Sequence, residues 1–204
     1  MKIASYIIVL LALTSCFSMV DPKIQSKYIE SKSEFDSSLT KHFPKILPNE
    51  YYGYSFSSGG SYSSRNCGYL QVNTRYKFKH RYNSKKNELI SKSIFQANSS
   101  DTCTIKVLNE YISDTTGLSE KLKKLNHSCA FGYPIPSDID YSYSISTIKF
   151  ENNIYVIDSD STSLLENKDW PNITYLPKGW EKGYSVGFAL NDTYFIISYW
   201  LIIW

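Results

Sequence analysis

From Leu70 to Tyr82 the chain alternates between two kinds of residue. Leu70, Val72, Thr74, Tyr76, Phe78, His80 and Tyr82 fall on one side, and Gln71, Asn73, Arg75, Lys77, Lys79 and Arg81 on the other. A period of two predicts a strand from Gly68 with one buried and one wet face. The polar residues 83–87 predict a turn, and residues 88–97 a returning strand. Ahead of this pair, Ile24, Tyr28, Phe35, Leu39 and Phe43 recur near the helical period. Pro44 ends that helix, because proline lacks the N–H and clashes with the preceding turn. Residues 48–64 read as an extended aromatic segment that enters a Gly/Ser loop.

Further along, residues 102–108 predict a strand, and Leu118, Leu122 and Leu125 a short second helix with Ser119 as cap. A loop through Pro134 and Pro136 leads to paired strands at 141–150 and 154–158, joined by Glu151-Asn152-Asn153. A last hairpin, 183–190 with 193–204, turns at Asn191-Asp192. The segment from Phe195 to Trp204 is far shorter than the roughly 20 residues of a spanning helix. It is apolar on both faces, whereas a membrane-barrel strand alternates lipid-facing and lumen-facing residues. Such a strand belongs in the middle of a sheet covered on both sides. With no repeat or linker, residues 23–204 are expected to form a single α+β domain. It would hold an antiparallel β-sheet of hairpins, an N-terminal helix and a short second helix.

The first residues carry a different message. Lys2 precedes the apolar run 3–13, and Leu13-Thr14-Ser15-Cys16 closes it. A positive start, a short apolar core and small residues before a cut describe an export signal. The closing tetrapeptide resembles the lipobox of bacterial lipoproteins. That resemblance implies cleavage after residue 15, a lipidated Cys16 and a tether over 16–22. It covers the export segment alone and implies nothing about fold or activity. The alternative is ordinary cleavage near Ser15 or Ser18, which would release a soluble protein. Two or three acyl chains would hold the mature protein in a membrane, at about 0.8 kcal/mol for each buried methylene.

The formal charge of +3 falls by one when Lys2 leaves with the signal. That is too small to call for a nucleic-acid partner. Beyond Cys16 the chain holds Cys67, Cys103 and Cys129. In an oxidising compartment this predicts one disulfide and one leftover thiol. If the turn of the first hairpin centres on Lys85, Cys67 lies opposite Cys103, within disulfide reach. None of the three lies in a CxxC pair, so no metal site and no cofactor are called for.

Several motifs invite chemistry. Gly183-Tyr184-Ser185-Val186-Gly187 matches G-x-S-x-G, but a nucleophile elbow needs a helix after it and a histidine downstream. The last histidine is His127, so the glycines are expected to serve twist or close packing in a strand. His127 and Cys129 could share a strand face as base and nucleophile, although no third group is evident. Asp158, Asp160 and Thr162 imitate the start of a calcium loop, yet Ser163 and Asp169 stand where glycine and glutamate are needed. Asp138 and Asp140 could add oxygen ligands or, with the others, act as hydrolytic carboxylates. Arg75, Lys77, Lys79 and Arg81 form the strongest surface feature. They could contact anionic headgroups, lipopolysaccharide or an acidic protein, and the plainest account is a strand face kept soluble by charge. Tyr51, Tyr52, Tyr54, Trp170 and Trp180 could stack on sugars or fill an interface, and most are expected in the core. No catalytic residue is assigned. The expectation is a lipid-anchored protein of the bacterial cell envelope, periplasmic or surface-facing, that binds a protein or glycan. The alternative is an envelope hydrolase using scattered carboxylates or the Cys–His pair.

Overall fold

Asp21 and Pro22 decide where the folded chain starts. Pro22 occupies the first helical turn, where a missing N–H costs nothing, and the Asp21 carboxylate accepts from the Lys23 amide at 2.8 Å. The computed structural model describes residues 20–49, 51–57 (backbone only), 68–107, 120, 123–124, 126, 129–136, 153–162, 164 and 175–204. Helix α1 spans Pro22–Ser33 and α2 spans Ser37–Thr40. The long helix expected up to Pro44 is therefore broken. Asp36 interrupts it by accepting from the Ser38 amide at 2.7 Å, since a short carboxylate favours a cap over a helix interior.

Strands follow as β1 (Tyr51–Ser57) and β2 (Gly68–Arg75), then helix α3 (Lys79–Ile90). Next come β3 (Phe95–Asn98), β4 (Thr104–Val107), β5 (Phe131–Pro136), β6 (Asn153–Asp160), β7 (Tyr184–Asn191) and β8 (Ile196–Ile203). Six strands form an antiparallel sheet in the order β1-β2-β8-β7-β6-β3, and β4 and β5 pair in parallel beside it. The result is a single α+β domain. Its C-terminal hairpin matches the pattern reading, and β8 lies between β2 and β7.

Both faces of the sheet are covered. On one face Leu70, Val72, Phe188, Leu190, Ile197, Tyr199 and Leu201 cluster with Tyr28, Leu39, Phe43, Tyr82 and Leu89 of the helical side. On the other, Tyr69, Ile154, Val156, Trp200 and Ile202 cluster with Ile105, Val107 and Ile135 of the small sheet. Each large apolar side chain buried this way contributes about 1.5–3 kcal/mol.

This double cover corrects the reading of β2. Gln71 and Asn73, expected on a wet face, are buried. They satisfy one another in a row: the Tyr69 hydroxyl donates to Gln71, whose amide donates to Asn73 at 3.0 Å. The alternation beyond Arg75 is a second correction. The chain leaves the sheet there, and Lys79–Ile90 is a helix that buries Tyr82 and Leu89, two turns apart on one face. The predicted turn at 83–87 lies inside α3, and the predicted returning strand shrinks to β3, which pairs with β6 and not with β2. The stretch around Pro134 and Pro136 is a strand, tolerated because its sheet has only two members.

With the first hairpin gone, the register that faced Cys67 with Cys103 goes too. Cys103 is bonded to Cys129, their Cα atoms 5.1 Å apart. Cys16, Cys67, the strand expected at 141–150 and most of the second helix expected near Leu118 lie outside the described residues.

Candidate anion-binding pocket

Where β2 ends, the chain must leave a hydrogen-bonded sheet and start a helix. Tyr76 makes that exit by donating its amide to the Phe195 carbonyl at 2.9 Å. Phe195 adopts φ 56°, a left-handed backbone unusual for a bulky residue. The turn that holds it there is pinned twice. The Tyr194 amide donates to the Asn191 side chain at 3.0 Å. Asp192 accepts from the Tyr82 hydroxyl at 2.6 Å and from the Lys86 ammonium at 2.6 and 2.8 Å. These bonds fasten α3 to the β7–β8 turn. Burial alone would raise the Asp192 carboxyl. Hydrogen bonds from Lys86 and Tyr82, with the charges of Lys86 and Lys79, outweigh it and hold the group below its ordinary value. Burial, followed by the bond to Asp192, pushes the Tyr82 phenol far up.

Between these two chain segments lies an open pocket of about 480 Å³, lined by Arg75, Tyr76, Lys77, Thr193, Tyr194 and Phe195. Arg75 and Lys77 are exposed, and among the described residues no carboxylate lies within ion-pair distance of either. Nearby acids are committed elsewhere: Asp192 to Lys86, and Glu88 to Lys85 and Lys92. Two unneutralised cations beside aromatic walls can hold an anion with an apolar or ring-bearing neighbour.

The four basic residues singled out from the sequence therefore do not share one strand face. Arg75 ends β2, Lys77 sits in the connection, and Lys79 and Arg81 open α3. The pocket joins the first two to Thr193, Tyr194 and Phe195, which the sequence reading missed. Asn191-Asp192 marked the turn, but only the pairing of Arg75 with Ile196 brings that turn beside Tyr76.

The other candidates take structural positions. Ser185 is fully buried inside β7, and a Cβ on Gly187 would collide with the Tyr155 carbonyl and lie 2.5 Å from the Trp200 ring. Close packing is thus what Gly187 serves. Cys129 is disulfide-bonded, so its sulfur is no thiolate nucleophile, and His127 lies outside the described residues. Asp158 accepts from the Tyr184 hydroxyl at 3.1 Å, and Asp160 from the Thr162 amide at 2.8 Å. Burial, with Asp158 adding to it, pushes the Tyr184 phenol up to about 12. Asp138, Asp140, Ser163, Asp169 and Trp170 lie outside the described residues, among which no cluster of three or more potential metal ligands occurs. Trp180 packs against the core and its carbonyl accepts from the Trp204 indole at 2.8 Å.

No protein-family model, curated protein or solved structure matches this chain.

Proposed function

We propose that this protein is a lipid-anchored, non-catalytic binding module of the bacterial cell envelope, and that the pocket at the end of β2 receives a negatively charged ligand. The observation that carries the binding role is the placement of Arg75 and Lys77, exposed and without an acidic partner among the described residues, on the wall of an aromatic-lined pocket. That wall stands on the ends of two sheet-central strands, so the cations are presented by a rigid base. The anchor rests on the lipobox-like Leu13-Thr14-Ser15-Cys16 behind an export signal. Among the described residues no helix is long and apolar enough to cross a membrane.

Two measurements test the two halves separately. Intact mass of the membrane-extracted protein is expected to show a chain that begins at Cys16 with added acyl mass, absent in Cys16→Ser. An unmodified chain would remove the anchor. Titration with dextran sulfate is expected to give salt-sensitive binding that weakens in Arg75→Gln/Lys77→Gln. Equal binding by the variant would remove the pocket.

A further inference from the structure

The segment that follows the pocket has a composition its helix does not explain. No acidic residue occurs between Arg75 and Asn87, while Arg75, Lys77, Lys79, Arg81, Lys85 and Lys86 all do. Lys79 and Arg81 occupy the first turn of α3, where the helix dipole favours acids. Phe78, at the cap position, supplies no side-chain acceptor to the amides of that turn. Phe78 also stands out of the surface, with 46% of its area exposed. Three neighbours surround the ring: Lys77 and Arg81 at 5.7 Å from its centroid, and His80 stacked at 5.8 Å. An exposed aromatic with two cations over its ring, beside a pocket whose wall adds Arg75 as a further cation, matches an interface where apolar and anionic layers meet.

We infer that the pocket and the Phe78 projection together form a docking surface for the anionic phospholipid headgroups of a membrane. The inference rests on the lipid anchor and pocket proposed above, and names the ligand of that same site. A headgroup phosphate sits against Arg75 and Lys77, Phe78 enters the headgroup–acyl boundary, and Lys79 and Arg81 face the negative surface. The tether then holds the domain near a membrane, and this surface orients it. Asp192 does not oppose the contact, since Lys86 and Tyr82 already engage its carboxylate.

The test uses the full chain isolated from membranes and reconstituted into two kinds of vesicle. One kind is phosphatidylcholine alone; the other is equimolar phosphatidylcholine and phosphatidylglycerol. Flotation with the neutral vesicles reports the anchor by itself. Lysine acylation by a water-soluble reagent, quantified by mass spectrometry, reports docking. Lys178 is the internal reference, because it is exposed and its segment packs on the opposite face of the sheet, near Trp204. In the anionic vesicles labelling of Lys77 and Lys79 is expected to fall at least about fivefold relative to Lys178. The protection should vanish at about 1 M salt, where the screening length is about 3 Å. It should be missing in the neutral vesicles. Equal labelling of all three lysines in both vesicles overturns the inference. Protection by millimolar glycerol phosphate in neutral vesicles also overturns it, in favour of a small soluble ester. Flotation without protection retains the anchor and rejects the docking surface; protection without flotation does the reverse.

Discussion

His42 offers a quantitative test of how tightly the helical layer seals the sheet. Its ring is 6% exposed, lies 4.4 Å from the Phe43 ring, and places Nε2 3.2 Å from the Trp200 carbonyl. Burial lowers its pKa to about 4, against the partial relief offered by the Trp200, Gly187 and Leu39 backbone, with Lys41 adding slightly to the drop. Unfolded histidine titrates near 6.5. The unfolded chain therefore takes up the proton first. His42 contributes its full stability above about pH 6.5 and loses it as pH falls toward 4. Between about pH 7.5 and about pH 4.5 the loss integrates to about 2.5 kcal/mol. For a chain of this size that is a fall in Tm of about 5–10 °C. Carboxylates titrate in the lower part of this window as well, so the assay is a difference. Urea denaturation across the range is compared with His42→Gln, whose amide can still donate to the Trp200 carbonyl. The wild-type advantage is expected to shrink by about 2.5 kcal/mol toward acid. Parallel pH curves for the two proteins would refute the reasoning, since they would mean that His42 takes its charge in the folded state without penalty.

Three further predictions follow from other parts of the structure. Gly187→Ala places a methyl against the Tyr155 carbonyl and the Trp200 ring, and is expected to cost about 3 kcal/mol or more; thermal unfolding of the purified variant at wild-type Tm would contradict it. The Cys103–Cys129 bond closes a sequence separation of 26, so Cys103→Ser/Cys129→Ser should lose about 3.5 kcal/mol in urea denaturation. Non-reducing peptide mapping should recover that pair, and a Cys67–Cys103 peptide would show the pairing to be wrong. Asp192→Ala leaves the buried Tyr82 hydroxyl without its acceptor and is expected to destabilise by about 1–2 kcal/mol, while Tyr82→Phe/Asp192→Ala should recover part of that loss in a double-mutant cycle.

Local signals in this chain were strong wherever one element's own pattern had a single solution. The run Ile196–Ile203 is apolar on both sides, and no structure but a covered central strand buries both sides of a strand that short. Asn191-Asp192 gave the turn before it, and the absence of any residue order fit for a serine elbow left Gly187 to packing. The charges at 75–81 were visible too, but not their arrangement. A stretch such as residues 76–82 satisfies period two, while Tyr82 and Leu89 satisfy a helix. Which period wins depends on what waits to receive the side chains. Here Tyr76, Asp192 and Phe195 surround Tyr82; Tyr76 is near in sequence, but Asp192 and Phe195 reach it only through strand pairing.

The sequence by itself determined an α+β chain, its C-terminal hairpin, a strand buried on both faces and a run of cations without neighbouring acids. Tertiary structure alone decided that β8 lies against β2, that Gln71 and Asn73 are covered, that Cys103 meets Cys129, and that Arg75 and Lys77 face Tyr194 and Phe195. The reason is range. Periodicity and capping are set within a few residues, whereas the pocket requires residues 75–77 and 193–195 to meet, and that contact exists only once β2 has paired with β8.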